Sequence, residues 1–514
     1  MSNFLNEQTV MQFYIEQIDK DSIVFLQGKD EMKADIRSLV VRLMEAETMN
    51  AKIGIAVDLW KKLFEASMSF ISPDKRGYDK IFSFFDAYVE FEELIFASDS
   101  FYRDHTLHCI WVYFLGEYVA RNPQFEPLFI DAKQTELLIS GIHSVIPSNR
   151  RFKYASNLIA NTKKLEEATR CVSALTHDLG YPLKKIEKIN KSIKKVLPYF
   201  AVNSFDDFNF EYNNIQQGFI DNCIDLLSRQ LEVSVYISDR DSRSEEELDR
   251  FDMLFNKVLD VDERGSVKNV KSVASEVLTE EEINFIDSNI KVDIEFDVKL
   301  SRQNAYLNDF ENYQHGIMSA FLLMKNLNAF QNYNYCMKEG KLDANAKTKP
   351  EILLAMADIL ESITAHTSDA LSIASIDDTN YLTIIDELEE FSRISRASQN
   401  REYVKEFCES SIEMNDGWLD IQFIFNNTNL DNLNPEISFK GRCKRFLSLF
   451  DIPNMSDNLK IRVSVIGQLP TDQNTYVLEI ANKYADISIN GESQNIPKYL
   501  KSTQYYTKEE YAKM

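Results

Sequence analysis

The sequence predicts a mainly α-helical protein that ends in a small α+β domain. The 14 glycines and 11 prolines make up about 5% of the 514 residues. An average protein carries about 12% of these two helix-breaking residues. Apolar residues recur three and four positions apart over most of the chain, which is the spacing of a buried helix face. After about residue 400 the spacing changes to the alternation that is typical of half-buried strands.

Residues 1–95 are predicted to form an N-terminal helical layer. Ile36, Leu39, Val40 and Leu43 recur at helical spacing, so they define one apolar face. An apolar face of this kind must be buried against other helices. We therefore expect the first part of the chain to pack onto the helices of the next domain.

Residues 96–400 are predicted to form a second helical domain with deeply buried helices. The segment CIWVYFLGEYVA at 109–120 is apolar on most of its faces, which is typical of a buried helix. Helical periodicity is also clear at 351–365. Between about 235 and 300 the composition becomes strongly charged, and we expect an insertion or lid with short helices there.

Residues 401–514 are predicted to form the C-terminal α+β domain. Three segments, 418–425, 459–466 and 475–481, alternate apolar and polar residues as half-buried strands do. The final segment, 504–514, is predicted to be a frayed helix.

The charge and cysteine content restrict the class of protein. The chain carries 57 Lys and Arg against 81 Asp and Glu, a net charge of −24. A surface this acidic repels phosphates, so duplex nucleic acid is not an expected partner. The six cysteines are scattered without a Cys-x-x-Cys pair. This pattern implies neither a disulfide framework nor a zinc knuckle, and it favours the cytoplasm. Neither a signal sequence nor a membrane span is expected, and a homo-oligomer is left open.

The histidines carry the clearest chemical signal. The chain has six, and five of them accompany apolar helix faces: His105, His108, His177, His315 and His366. His177 is followed by Asp178 at the end of a predicted helix, which Gly180 and Pro182 terminate. Neighbouring residues point about 100° apart on a helix. This pair can therefore face two positions around one metal ion, or two separate ions.

Each of these helices presents a nitrogen or oxygen donor on its buried side. Asp386 adds a carboxylate at the inner face of a further predicted helix. Burying so many polar groups is costly unless something compensates them. A divalent transition metal, such as Mn, Fe, Co, Ni or Zn, would compensate all of them, because imidazole and carboxylate suit these ions. The alternative is a set of buried histidines that each pair with a neighbouring acid.

The order of these residues resembles the HD-domain metal-dependent phosphohydrolase superfamily. The matching segments are HCIWV around His108, ALTHDLGYP around His177 and Asp178, and IIDELEEFSR around Asp386. His315 and His366 are similar to the additional histidines of the binuclear subgroup. The resemblance covers roughly residues 100–200 and 310–396, and it implies an HD-type helical bundle. His105 competes with His108 for the first ligand position.

The resemblance implies one or two metal ions and hydrolysis by a metal-activated water. Asp178 would bridge two ions; His108, His177 and Asp386 would complete one site, and His315 and His366 the other. With a single ion, His315 or His366 would instead orient the leaving group or donate a proton.

Cations are needed near the phosphate of such a substrate. Lys184 and Lys185 follow the His-Asp pair and are the expected catalytic lysines. Arg103 and Arg393 flank ligand positions and could clamp a phosphate bidentately. For all four, the alternative is a solvated helix face or an ion pair with the abundant acids.

The expected function is therefore metal-dependent hydrolysis of a phosphoester or phosphoanhydride, with a nucleotide as the expected substrate. A second hypothesis is a signalling or assembly scaffold that binds a nucleotide or a partner without turnover. A third is an oxygenase that uses iron in the same binuclear fold.

Overall fold

The structure, a computed structural model, describes most of the chain. The described residues are 5–96, 101–129, 139–140, 152–200, 202, 206–207, 214–239, 245–261, 267–271, 277–300, 303–331, 350–368, 371–389, 391, 393–395, 402–403, 408–428 and 433–496. They are mostly helical and include a small C-terminal sheet of six strands. No helix among them is both long enough and apolar enough to cross a bilayer.

The N-terminal part is helical, as its periodicity predicts. Its helices are α1 (Glu7–Asp19), α2 (Asp30–Glu45), α3 (Met49–Ile71) and α4 (Tyr78–Phe96). The apolar residues that predicted α2, including Ile36 and Val40, are fully buried. Side-chain caps fix where helices begin: Asn6 accepts from the amide of Thr9 before α1, which satisfies one of the unpaired N–H groups of the first turn.

The remaining helices follow in chain order. They are α5 (His105–Arg121), α6 (Phe152–Thr176), α7 (Tyr181–Val196), α8 (Asn214–Leu227), α9 (Glu245–Phe255), α10 (Glu280–Asn289), α11 (Gln303–Glu311), α12 (His315–Asn326), α13 (Pro350–Ala365), α14 (Asp378–Leu388) and α15 (Pro435–Leu449). The segment that is apolar on most faces lies in α5, which is buried along nearly its whole length.

Within the described residues, the strands form four small sheets. They are β1 (Phe101–Arg103), β2 (Ile139–Ser140), β3 (Arg229–Asp239), β4 (Leu259–Val261), β5 (Val267–Val270), β6 (Ile290–Leu300), β7 (Arg393–Ser395), β8 (Glu402–Tyr403), β9 (Glu409–Asn415), β10 (Trp418–Phe425), β11 (Ile461–Gly467), β12 (Thr475–Ala481), β13 (Tyr484–Ile489) and β14 (Glu492–Gln494). The sheet orders are β1-β7-β8, β2-β3-β6, β4-β5 and β14-β13-β12-β11-β10-β9.

The charged segment at about 235–300 contains more than the predicted short helices. Helices α9 and α10 lie in it. The sequence analysis did not predict β3 and β6. These two strands pair antiparallel, with Arg229 opposite Leu300 at one end and Asp239 opposite Ile290 at the other. Both strands alternate apolar with charged or polar residues, for example IKVDIEFDVKL in β6. The alternation was therefore present, but the high charge of the surrounding segment obscured it.

The C-terminal sheet matches the three predicted strands closely. All neighbouring strands are antiparallel except β10 and β11, which pair in parallel and are connected through α15. In β10, β11 and β12 buried and half-buried residues alternate, which explains the sequence pattern. The predicted frayed helix at 504–514 lies outside the described residues.

A short connection between two central helices is hydrogen-bonded to the end of α15 in the C-terminal part of the chain. We call residues 371–376, between α13 and α14, the bridging segment. Within it, the amide of Ile373 donates to Leu449 O at 2.9 Å, and the amide of Asp451 donates to Ile373 O at 2.9 Å. One continuous apolar core extends from the N-terminal helices through the central helices into the sheet.

Helices α5, α6, α13 and α14 form the bundle that positions the candidate site. Helix α6 packs against α5 and α13, and α14 packs against α5, α6 and α13. Helix α12 packs against α13 and α7. As a result, the start of α5, the end of α6, the start of α12 and the end of α13 meet at one end of the bundle.

Candidate metal centre

Asp178 lies at the centre of the clustered histidines. Its Oδ2 atom is 3.6 Å from His108 Nε2 and 3.5 Å from His177 Nε2. Its Oδ1 atom is 3.1 Å from His315 Nε2 and 3.7 Å from His366 Nε2. The two oxygens of one carboxylate thus face two separate pairs of imidazoles.

Asp386 joins the first of these pairs. Its Oδ1 atom is 2.8 Å from His108 Nε2 and 4.0 Å from His177 Nε2. The structure therefore brings together all six side chains that the sequence identified as metal ligands. Two triplets among them have candidate ligand atoms within 4.8 Å of one another: His108, His177 and Asp178, and Asp178, His315 and His366.

Contacts at the Nδ1 atoms fix the orientation of three of the imidazoles. Nδ1 of His108 is 2.6 Å from Glu389 Oε2, and Nδ1 of His177 is 2.8 Å from Ala174 O. Nδ1 of His366 likewise contacts a backbone carbonyl, that of Ile363. A neutral ring that donates through Nδ1 presents a lone pair at Nε2. The Nε2 atoms of these rings face the cluster, where such a lone pair can bind a metal ion.

The cluster has an excess of lone pairs, which fits the binding of a cation. Nε2 of His177 and Nε2 of His108 are only 3.3 Å apart, and in neutral rings both are acceptors. Nε2 of His366 is buried and has no hydrogen-bond partner among the described residues. A metal ion would satisfy these atoms, so the residues fit the metal that the sequence predicts.

The ionisation states also suit metal binding. Burial lowers the pKa of His177 to about 3, although the nearby Asp178 opposes this shift. Burial also lowers the pKa of His315. Burial alone would raise the pKa of Asp178, but its interactions with His177 and His315 outweigh burial and hold the pKa well below its ordinary value. At neutral pH these histidines are uncharged and the aspartate is ionised, which is the state that binds a cation.

Close backbone contacts bring α7 and α12 to the cluster. A Cβ atom on Gly180 would lie 2.3 Å from His315 O, so only glycine permits this approach. The amide of Gly180 donates to Ser319 Oγ at 2.7 Å, and Ser319 Oγ donates to His177 O at 2.6 Å. These contacts link the turn after α6 to the first turn of α12.

Helices α12 and α13 approach each other in the same way. A Cβ atom on Gly316 would lie 2.4 Å from Ile363 O. This contact sets His315, at the start of α12, beside His366, which follows α13. The two glycines beside the ligands therefore have a packing role that the sequence did not reveal.

The geometry distinguishes His108 from His105. His108 lies within the cluster, whereas His105 Nε2 is 4.0 Å from Asp178 Oδ2 at its edge. Nδ1 of His105 contacts Glu92 Oε1, and the His105 ring lies 3.9 Å from the ring of Tyr181. Glu92 also accepts from the amide of His105 at 3.0 Å, so it caps the start of α5.

The two predicted catalytic lysines follow the cluster on α7. Lys184 Nζ donates to Asn312 O at 2.9 Å. Lys185 Nζ lies 4.3 Å from the centre of the Tyr181 ring, which itself contacts His105 and His315. Lys185 is therefore at the edge of the cluster, while Lys184 is held by the chain just before α12.

The two predicted arginines are neighbours across a sheet. The antiparallel pairing of β1 with β7 sets Arg103 directly opposite Arg393. β1 immediately precedes α5, and β7 follows α14, so both arginines belong to segments that flank the cluster. The sixth histidine, His143, lies outside the described residues.

Comparison with known proteins adds no relative. No family model, no curated protein and no solved structure matches this chain. The chain itself shows a mostly helical fold with a buried histidine and aspartate cluster that could hold a metal ion.

Proposed function

We propose that this protein is an HD-type metal-dependent phosphohydrolase that acts on a nucleotide or a related phosphoester. The observation that carries the proposal is the position of Asp178. Each oxygen of this buried carboxylate faces its own pair of imidazoles. A carboxylate between two sets of ligands is the arrangement that a binuclear site requires.

The donor set favours divalent transition metals. His108, His177 and Asp386 would hold an ion on one side of Asp178, and His315 and His366 would hold an ion on the other. Nitrogen donors suit Mn, Fe, Co, Ni or Zn better than Mg. Ions bound here supply an activated water and neutralise charge on the phosphoryl oxygens.

Residues at the edge of the cluster would handle the substrate. His105 is held by Glu92 with its Nε2 atom 4.0 Å from Asp178 Oδ2. From this position His105 would act as the acid or base for the leaving oxygen of a substrate. Lys185, beside Tyr181, would add positive charge for the phosphate, and Lys184 would do so from the same helix.

The test combines metal analysis with a phosphate-release screen. The full chain is purified, loaded with Mn, Fe, Co, Ni or Zn in turn, and assayed on nucleoside triphosphates, deoxynucleoside triphosphates and cyclic dinucleotides. We expect one or two ions per chain and metal-dependent phosphate release. His177→Ala and Asp178→Asn should lose both. Asp420→Asn, which makes the same change in the C-terminal sheet, should retain both.

Other outcomes decide against the proposal. A chain that binds nucleotide without metal or turnover would be the scaffold. Oxygen consumption by the iron-loaded protein, without phosphate release, would identify the oxygenase. Circular dichroism of each variant separates loss of the site from loss of the fold.

A further inference from the structure

Exposed apolar side chains are concentrated at the end of α7. Among the described residues, eight large apolar side chains are exposed, and four of these lie within seven positions of the chain: Val196, Tyr199, Phe200 and Val202. Tyr199 is 90% exposed and Phe200 is 74% exposed. Single exposed apolar residues are ordinary on a protein surface, whereas a group of them indicates a binding surface. We call these four residues the α7 tip.

The α7 tip extends beyond the packed part of its helix. Helix α7 packs against α4 and α12, and its described side chains up to Asn190 are buried or half-buried. From Lys191 to Val196 most of its residues are exposed. The chain continues as a 3₁₀ turn, Leu197–Phe200, in which no residue is buried. The tip therefore belongs to the part of this segment that the fold leaves exposed.

Lysines accompany the α7 tip. Residues 184–207 contain six lysines against three acids, in a chain whose net charge is −24. Lys191, Lys194 and Lys195 are exposed. Lys194 pairs with Asp207 at 2.6 Å, whereas Lys191 and Lys195 make no ion pair among the described residues. This segment is therefore positive within an otherwise acidic protein.

A positive segment with exposed aromatic rings is complementary to an anionic lipid surface. Such a surface attracts lysines within roughly 8 Å at physiological salt, so acids elsewhere on the protein do not cancel the attraction. Apolar side chains enter the boundary between headgroups and acyl chains. Lys195 precedes Tyr199 by four residues, which is about 6–8 Å of helical rise. The headgroup layer is roughly 5–8 Å thick, so the rings can reach the acyl boundary while the ammonium groups stay among the headgroups.

The composition of the α7 tip favours lipid over single-stranded nucleic acid. A nucleic-acid strand also attracts lysines, and its bases stack on aromatic rings. The two rings of the tip are adjacent, however, rather than spaced along the row of lysines. Val196 and Val202 offer no ring for stacking. Aliphatic side chains gain free energy when they leave water, and acyl chains permit this.

We propose that the α7 tip docks this protein on the surface of an anionic lipid bilayer. The apolar residues of the tip enter the headgroup boundary, and Lys191 and Lys195 pair with the anionic headgroups. At the other end of α7, the ring of Tyr181 contacts His105 and His315. Because α7 has 16 residues, docking would hold the metal centre about 24 Å along the helix from the bilayer. The docking does not depend on the proposed hydrolase activity.

Sedimentation of the full chain with lipid vesicles tests the docking. One set of vesicles contains phosphatidylcholine with phosphatidylserine, and the other contains phosphatidylcholine alone. The salt concentration is 0.15 M, where charges are screened beyond roughly 8 Å. We expect the protein to bind the anionic vesicles at least about tenfold more tightly than the neutral ones, because its lysines attract only the former. Equal binding to both, or binding to neither, would overturn the proposal.

Substitutions in and beside the α7 tip locate the binding. The double variant Tyr199→Ser, Phe200→Ser should bind anionic vesicles at least about tenfold more weakly, because neither serine can replace a ring in the lipid. The double variant Lys191→Gln, Lys195→Gln should lose about 25-fold, which is about fivefold for each lysine. All four residues are exposed, so the melting temperature should not change.

Helix α15 provides a matched control. Ile437 is 68% exposed there, and Lys440 lies three residues later on the same helix. The double variant Ile437→Ser, Lys440→Gln therefore removes an exposed apolar side chain and an exposed lysine from another surface. It should bind anionic vesicles like the unsubstituted protein. Equal affinity in this control and in both variants of the α7 segment would show that the bilayer does not contact the tip.

Two further measurements test other occupants of the α7 tip. Without lipid, sedimentation equilibrium should give the same mass for the protein and for Tyr199→Ser, Phe200→Ser. A lower mass for the variant would make the tip an interface between copies of this chain and would overturn the proposal. Titration with a single-stranded oligonucleotide should show no difference between these two proteins. Oligonucleotide binding that is lost in the variant would decide for nucleic acid against lipid.

Discussion

Two glutamates that sequence reasoning missed hold the histidines in place. Glu389 contacts His108 Nδ1, and Glu92 contacts His105 Nδ1. Both are fully or almost fully buried. Glu389 follows Asp386 by three residues, so helical spacing alone would have placed it on the same face as the aspartate. Glu92 gave no such signal, because it comes from α4 in the N-terminal layer.

Substitution of Glu389 should weaken metal binding without removing any ligand. In Glu389→Gln, His108 Nδ1 would lose its charged acceptor, so the ring would be a poorer ligand and less firmly oriented. We expect a loss of about 10-fold to 100-fold in metal affinity, measured by competition with a chelating dye. Glu387→Gln, which alters a residue on the same helix that pairs with Arg445, should bind metal normally. Equal losses in both variants would contradict this role.

His105 should separate metal binding from turnover. Because His105 lies at the edge of the cluster, His105→Gln should retain its metal ions and lose about 100-fold in kcat, a typical effect of removing an acid–base group. His108→Gln should lose metal as well. Metal content is measured by elemental analysis of the same samples that are assayed. Loss of metal from the His105 variant would instead make this residue a ligand.

Glu167 should make stability depend on pH. Burial, together with the nearby Glu117, raises the pKa of Glu167 to about 7, above its ordinary value near 4.5. Between these two pKa values the carboxyl of Glu167 is therefore protonated in the folded state and ionised in the unfolded state. This contribution is complete below about pH 4.5 and is lost as the pH rises to about 7. Glutamine does not ionise, so Glu167→Gln should not show this loss of stability as the pH rises.

Urea unfolding of both proteins at several pH values measures this effect. The stability of Glu167→Gln relative to the unsubstituted protein should rise between pH 5 and pH 8, by up to about 3 kcal/mol. A difference that stays constant over this range would mean that Glu167 is ionised throughout in the folded protein.

At the scale of elements, glycine contacts determine how the helices meet. The turn between α6 and α7 contacts the first turn of α12 through Gly180, where an added Cβ atom would also meet Met318 and Ser319. The sequence predicted that a helix ends at Gly180, and α6 does end just before it. It could not show the packing role, because that depends on a helix more than a hundred residues later.

Gly180→Ala should therefore disrupt both the fold and the site. Its Cβ would lie 2.3 Å from a backbone carbonyl, and neither backbone can yield without separating α7 from α12. We expect a loss of about 3 kcal/mol in unfolding free energy and weaker metal binding. Gly218→Ala on α8, where the new Cβ meets open space, should gain up to about 1 kcal/mol from helix propensity. Similar effects of the two substitutions would show that the contact does not matter.

At the scale of the whole molecule, local patterns predicted most of the architecture. The helical content and the strands of the C-terminal sheet follow from the spacing of apolar residues. This spacing can be read within each segment on its own. The order of the sheet and the convergence on Asp178 depend on contacts between distant segments, so no local pattern encodes them. The clustered side chains could nevertheless be singled out from the sequence, because each is a polar group on an otherwise apolar helix face.

The continuous core predicts cooperative unfolding. The bridging segment hydrogen-bonds to residues at the end of α15, which packs on the C-terminal sheet, and it leads directly into α14, which carries Asp386. We expect calorimetry to give one unfolding transition that includes both the helices and the sheet. Two resolved transitions, with metal affecting only the first, would show that the sheet is an independent domain.

The segment between the paired strands β3 and β6 also divides the candidate ligands into two equal halves. A chain cut between β3 and α9 would leave His108, His177 and Asp178 on one fragment, and His315, His366 and Asp386 on the other. Each fragment alone would hold an ion weakly, whereas the reassembled pair would share Asp178 between both halves of the centre. Reconstitution of the two fragments would then respond to divalent metal and reverse with a chelator, which is the behaviour required of a genetically encoded metal sensor.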